Sequence, residues 1–468
     1  MANRIGFAFP MNTAGSQPPF GPAMHALIAE LYPLPRSITG DGVRQTLRAL
    51  QSVAPLTIHE VPTGTPVFDW TVPNEWNVRQ AHVTDARTGR RVVDFADHAL
   101  HLVGYSTPVR QRMTLADLRP HLHTLPEQPD RIPYRTSYYK PTWGFCLTHR
   151  ALESLSADTE YDVVIDATLA PGHLTYGELL IPGDTANEIL FSAHTCHPQL
   201  ANDNLSGVVV AAHLARHLAA GPRGRHSFRF VWAPGTIGAI TWLARNEPAT
   251  ANIRHGLILS NLGDGRTFTY KRSRRGDAPV DRAVTEILRA TGRPHTVLDF
   301  SPYGYDERQY CSPGFNLPVG LLSNSQYGTF PEYHTSADDL SLVKPDALEA
   351  SFRLIQDVVD RLDTSFSRDP KGELQATPEA SASATAHSPR YFNLLPKCEP
   401  QLGRRGLFSM VGGRTSPKRF ELALLWVLNQ SDGGPTLAEI ATRSALPIDV
   451  LTDAARALEA AGLLRRID

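Results

Sequence analysis

The tightest constraint on the fold lies between Glu188 and Gly207, EILFSAHTCHPQLANDNLSG, where an apolar run gives way abruptly to a crowded polar segment. Ile189, Leu190 and Phe191 read as a short buried strand. The polar segment carries His194, Cys196, His197, Asp203 and Asn204, and runs into Ser206 to Ala215, SGVVVAAHLA, whose small apolar residues suit a helix packed closely on a sheet. A strand end and a helix start therefore meet at one point. In open α/β sheets the loops beyond the carboxyl ends of strands are where ligands and catalytic groups gather. An imidazole at 194 and a carboxylate at 203 could form half of a zinc site. By spacing alone the blander reading has the better claim: hydrogen-bonded loop histidines and an aspartate that caps a helix.

The same strand-then-helix texture recurs. Met24 to Tyr32 and Gly42 to Ala54 have helical spacing, and Leu56 to Val61 alternates as a strand. Further strands are expected at Ser227 to Trp232, Leu257 to Ser260 and Val319 to Leu322, with helices from Ala239, over Asp281 to Thr291 and over Pro345 to Leu362. That alternation predicts a mostly parallel sheet covered on both faces. Between Gly64 and about Pro182 short alternating runs with aromatics and turn signals predict mainly β structure, inserted into the α/β domain. Inside it, His123 to Leu147 is too rich in proline and aromatics for regular structure, and serves either function or inter-domain packing.

Residues 1 to about 20 read as a loose arm, and Thr364 to Pro389, rich in Ala, Ser, Thr and Pro, as a linker. The expected domains are 1–63 with 183–366 for the α/β part, 64–182 for the insert, 367–400 for the linker and 401–468 for a mostly helical end. In that end a helix, LAEIATRS, a turn and a third helix closing in GLL resemble a winged helix-turn-helix. From Gln401 onward nine Lys/Arg face seven Asp/Glu, too slight an excess for DNA contact, so a protein-contact or dimerisation module is the better expectation. Over the whole chain 46 Lys+Arg balance 47 Asp+Glu, which gives no field to draw in nucleic acid or an anionic membrane. No window approaches the roughly 18 unbroken apolar residues of a membrane span. The four cysteines, Cys146, Cys196, Cys311 and Cys398, form no CxxC pair, and a reduced, cytoplasmic protein is expected.

HTCHP followed by ANDNLSG resembles the signature of the zinc aminopeptidase-like fold, the M28-type co-catalytic exopeptidases and their relatives. YHTSADDL resembles that fold's last metal-ligand segment, and YDERQYCSPGFNLPVG takes the place of another of its loops. Together with RSITGDG, DWTVPNEW, VVDFADH and SYYKPTWGFCL, these words are similar to a family of bacterial aminopeptidase-like proteins with an inserted β domain and a C-terminal winged helix. The resemblance implies that His194, Asp203 and His334 bind metal.

The departures from that pattern carry more information. The two-zinc enzymes have a Glu-Glu pair after the strand corresponding to Phe228 to Trp232, one glutamate acting as general base; here the loop reads Pro234-Gly235-Thr236-Ile237-Gly238. They also have a ligand aspartate where this chain has Ser260-Asn261. With one ligand lost from each metal, His194, Asp203 and His334 suffice for one zinc ion with an open position for water. Glu307, then Asp306, is the expected base or proton shuttle; either could be a fourth ligand, or both could form a solvated cluster with Arg308. His197, Cys196 and Glu332 are weaker candidates. Tyr138, Tyr139, Trp143 and Arg36 are candidates to line the substrate pocket. The expected activity is zinc-dependent hydrolysis of an amide or peptide-like bond in a small molecule or short peptide, with metal-bound water as nucleophile. The alternatives are a single-zinc acyl-transfer or cyclising enzyme and an inactive relative that binds a peptide or metabolite.

Overall fold

The computed structural model describes residues 19–365, 388–408 and 419–467. The expected N-terminal arm and most of the expected linker lie outside them. Eight strands form one mixed sheet: β1 (Thr57–Pro62), β2 (His173–Ile181), β3 (Glu188–His194), β4 (Ser227–Ala233), β5 (Ile253–Leu259), β6 (Phe268–Lys271), β7 (His295–Leu298) and β8 (Val319–Ser323). Their spatial order is β1-β2-β4-β3-β5-β8-β6-β7. The central four, β4, β3, β5 and β8, run parallel, as the strand-helix alternation predicts. The flanks do not: β1 and β2 pair antiparallel, β2 joins β4 antiparallel, and β6 joins β8 antiparallel.

Every residue of β3 and β4 is buried, which is why both are dominated by apolar residues, with Glu188 and Arg229 paired to each other. Side chains alternate between two cores with the two-residue period of a strand. Ile189, Phe191, Phe230, Trp232, Leu257 and Leu259 face one core, closed by helices α1 (Gly21–Leu31), α2 (Asp41–Leu50), α3 (Gly207–Ala220), α5 (Pro279–Ala290) and α6 (Pro345–Ser365). Leu190, Val231, Ile258 and Leu321 face the other, closed by α4 (Ile237–Arg245) and by residues 67–174. Close packing of α3 depends on its first residue: a Cβ added at Gly207 would lie 2.2 Å from the Leu259 carbonyl oxygen of β5.

Residues 75–170 hold a separate antiparallel sheet, ordered Arg91–Asp94, Glu75–Asp85, Glu160–Ala170, Val109–Thr114. Two expected boundaries need correction. His173–Ile181, which the expected bound of the insert at 182 enclosed, is β2 of the main sheet, because a local β pattern does not fix the sheet that a strand joins. Arg390–Asn393, placed in the linker, is the middle strand of the C-terminal sheet, between Asp432–Thr436 and Leu464–Arg466. That sheet and helices Arg419–Gln430, Leu437–Ser444 and Ile448–Ala460 share a core of their own, centred on Leu424, Trp426, Leu451 and Leu458. No helix among the described residues is long and apolar enough to cross a membrane.

Candidate metal centre

Parallel strands bring their carboxyl ends to one edge of the sheet. His194 closes β3 directly opposite Ala233 of β4, so the loops after β3, β4 and β5 open side by side. Asp203 lies in the turn before α3, whose backbone Asp338 secures: its carboxylate accepts the N–H groups of Asn202 at 2.6 Å and Asp203 at 2.9 Å. Asp203 is the hub. Oδ1 lies 3.1 Å from His194 Nε2, and Oδ2 lies 3.0 Å from His334 Nε2 and 3.5 Å from His197 Nδ1. His194 Nε2 and His197 Nδ1 are themselves 3.2 Å apart. His194, Asp203 and His334, expected together, are together, and His197 joins them.

These spacings have a chemical meaning. With bonds of about 2.0–2.1 Å, neighbouring ligand atoms of a tetrahedral zinc ion lie roughly 3.3 Å apart. His194, His197 and Asp203 present donor atoms near enough to one another to share one ion, and His334 reaches the second carboxylate oxygen of Asp203. Asp203 Oδ2 is buried yet accepts no hydrogen bond of good geometry among the described residues, although two imidazole nitrogens face it. Such an orphaned carboxylate oxygen calls for a cation. Burial alone would raise the Asp203 carboxyl, but the His197, His194 and His334 imidazoles outweigh it and hold it well below the ordinary carboxylate range. Burial lowers His194 to about 4 against the pull of Asp203, leaving a neutral ring with a lone pair to offer. The residues present fit zinc.

Around this cluster stands a shell of aromatic hydroxyls. Tyr305 donates to Asp203 Oδ1 at 2.8 Å and stacks on His194 with ring centroids 4.5 Å apart. Asn261, where the two-zinc pattern has an aspartate, donates through Nδ2 to the Tyr305 hydroxyl at 3.2 Å. Tyr333 stacks on His334, and Tyr134 meets both His197 and His334 edge-on. Tyr134 belongs to the proline-rich stretch of the insert; its N–H donates to the His334 carbonyl at 2.8 Å, and Pro133 bridges Thr335. The irregular stretch is thus part of the site wall.

The two expected acid-base residues diverge. Asp306 Oδ1 accepts the Thr236 N–H at 2.6 Å, in the loop that lacks the glutamate pair. Burial pushes its carboxyl up to about 7 against that bond. Glu307 is fully buried and ion-paired with Lys271 of β6. Cys196 Sγ accepts the Gly235 N–H at 3.3 Å, and burial pushes its thiol up to about 12, so it is a poor ligand. Glu332 is ion-paired with Arg266 at 3.0 Å.

Of the four pocket candidates, two adjoin the cluster. Arg36 is buried and donates through Nε to the His197 carbonyl at 2.9 Å; Tyr138 shares a 2.7 Å hydroxyl contact with Tyr134. Trp143 stacks on His121 instead, at 3.6 Å, and Tyr139 is exposed and edge-on to Trp70. Sequence reading undervalued His197, whose signal is its place three residues after His194, gave Tyr305 and Tyr333 no role although both open quoted segments, YDERQY and YHTSADDL, and missed Tyr134.

Residues 25–365 match the model of a family described as Domain of unknown function (DUF4910). The chain belongs to the DUF4910 family. Residues 389–466 match a winged helix-turn-helix model, which begins at the strand Arg390–Asn393 rather than at residue 401. This DUF4910 chain is 45% identical, over 96% of its length and 97% of the other's, to a Clostridium acetobutylicum protein provisionally named a polysaccharide biosynthesis protein with an aminopeptidase-like domain. A crystal structure from the same organism, provisionally named a peptidase, is 44% identical over 96% of each chain with a TM-score of 0.72. The zinc aminopeptidase of Bacillus subtilis matches at a TM-score of 0.54 and 14% identity, over 73% of this chain and 95% of that one. An M28 peptidase precursor from Shewanella amazonensis gives 0.53 and 14%, over 76% and 95%. At that identity the likeness shows the fold, which is aminopeptidase-like.

Proposed function

We propose that this DUF4910 protein is a cytoplasmic single-zinc hydrolase that cleaves an amide or peptide-like bond in a small substrate. The observation that carries this reading is the convergence of the His194, His197 and His334 imidazoles on the buried Asp203 carboxylate, with His194, His197 and Asp203 near enough to share one ion. A bound zinc ion supplies Lewis acidity, which polarises a carbonyl oxygen and makes water acidic enough to attack near neutral pH. His194, Asp203 and His334 hold it. His197, with the most exposed side chain of the four, borders the approach of the substrate.

One ion rather than two is supported by what surrounds the rest of Asp203. Its Oδ1 already receives the Tyr305 hydroxyl, Asn261 backs that hydroxyl, and the loop at Gly235-Thr236 has no carboxylate to offer. Asp306 stands at that loop in place of the missing glutamate. A carboxyl whose proton affinity lies near neutrality can take a proton from the attacking water and return it to the leaving amine. Glu307, already neutralised by Lys271, instead sets the shape of the loop. The ligands are buried behind Tyr134, Tyr305 and Tyr333, so only a slender substrate end reaches them.

The test is incubation of zinc-loaded protein with a panel of small amides and N-terminal peptides, with products identified by mass spectrometry. Release of the amine by the native chain and its loss in His334→Ala is the expected result. Equal turnover by His334→Ala contradicts the metal role.

A further inference from the structure

The C-terminal unit poses a problem that the reaction does not solve. Its third helix, Ile448–Ala460, corresponds to the one that enters the DNA groove in winged helix-turn-helix proteins, yet it exposes Asp449, Asp453 and Glu459 against the single Arg456. Phosphate contact requires the opposite charge.

Its leading edge is instead built into the catalytic domain. The Glu399 carboxylate pairs with Arg308 at 3.1 Å, with both side chains largely buried, and the Glu399 N–H donates to Gln309 Oε1 at 2.8 Å. The Cys398 N–H donates to Ser312 Oγ at 2.9 Å, and the Pro396 carbonyl accepts the Gly314 N–H at 2.8 Å. From the insert, Trp70 Nε1 donates to the Glu399 carbonyl at 2.6 Å. Apart from the Trp70 bond, which ties the insert to Glu399 itself, these contacts reach one short helix, Glu307–Tyr310, or the turn just after it.

That helix sits between the C-terminal unit and the metal centre. Tyr305 and Asp306 precede it directly, the first bound to Asp203 and the second to Thr236. Tyr310 at its end donates to Ser192 of β3, two residues before His194. At Gly304 an added Cβ would meet Lys271 and Glu307, each at 2.5 Å, so the approach to Tyr305 has no slack.

We propose that the winged-helix unit serves as a brace for the metal site, and that Glu399 is a positioning residue that holds the Tyr305–Tyr310 loop through Arg308 and Gln309. This rests on the zinc reading above. Partners bonded directly to a metal's ligands, as Tyr305 is to Asp203, typically contribute about 10–100-fold to its affinity, and Glu399 acts on Tyr305 through Arg308, Gln309 and the helix, so its share is smaller. Glu399→Gln in the full-length protein is therefore expected to weaken zinc binding by about threefold to tenfold, toward the lower end of what direct partners give, measured by competition with a chromophoric chelator, while Glu399→Asp restores most of it. Arg308→Met with Glu399→Met, which leaves no unpaired buried charge to unfold the chain, should weaken zinc similarly at an unchanged thermal midpoint. Native zinc affinity in these folded variants overturns the brace and leaves the metal reading intact. A native protein that takes up no zinc overturns the metal reading itself.

Discussion

Asp203 gathers three imidazoles and a phenol around one carboxylate, and Asp306 stands outside that group with its own tie to Thr236. The difference sets what each replacement should do. Asp306→Asn keeps the size of the side chain and removes its proton affinity, so zinc content should stay native while turnover falls about 10²–10⁴-fold. The pH dependence fixes the sign. A base works as its carboxylate, and burial raises Asp306 to about 7, so the native rate should climb as pH rises through that value. In Asp306→Asn this rising limb should vanish from the pH–rate profile. A limb that persists assigns the proton to another group. Glu307 came first from sequence because nothing in YDERQY distinguishes two adjacent carboxylates. Lys271, 36 positions earlier and on another strand, makes the distinction by neutralising one of them.

At the scale of elements, the strand ends were legible because strands covered on both faces are mostly apolar, and β3, β4, β5 and β8 each carry an apolar run such as Ile189-Leu190-Phe191 or Leu257-Ile258-Leu259. β6 and β7, FTYK and HTVL, were not: short, polar and at the sheet's flank, they give no periodicity to read. His194 and Asp203 were legible as a candidate pair because a strand end and a helix start lie nine positions apart, whereas His334, 131 positions further on, was singled out only by the resemblance of YHTSADDL. The tyrosines were not, since Tyr134 and Tyr305 reach the site from loops that only the folded insert and the Lys271–Glu307 pair direct inward. Helix α3 offers a direct test of this packing. Gly207→Ala drives a methyl group into the Leu259 carbonyl, which either pushes α3 off β5 or unwinds its first turn. A loss of about 1–3 kcal/mol is expected in denaturant unfolding, the usual range for overpacking, together with weaker zinc binding because Asp203 moves with the helix start. Unchanged stability would mean that α3 does not pack this closely.

Across the whole molecule, the insert, the α/β domain and the C-terminal unit meet at one seam, and Asp69 of the insert closes it. Its carboxylate takes the Gln401 N–H at 2.8 Å and pairs with Arg405 and Arg404. Burial alone would raise Asp69, but Arg405 and the Gln401 N–H outweigh it and lower the carboxyl below its ordinary value. A depressed carboxyl contributes stability above its unfolded value of about 3.9 and loses it as pH falls through the folded one. Asp69→Asn should therefore cost about 1–2 kcal/mol near neutrality, as for a charge-assisted hydrogen bond, and the gap to the native chain should close toward pH 3 in urea unfolding. A gap that stays constant with pH would place the contribution elsewhere. The boundaries of the C-terminal unit were illegible for a related reason: Arg390–Asn393 follows a stretch of linker composition, and only its pairing with residues 40 or more positions away makes it part of the sheet.

The proposed function requires one ion at the carboxyl ends of the parallel strands. The most direct test is anomalous scattering measured on both sides of the zinc absorption edge from crystals of the native protein grown with zinc. One peak within bonding distance of His194, Asp203 and His334 is predicted, while two peaks sharing Asp203, or none at this site, would contradict it.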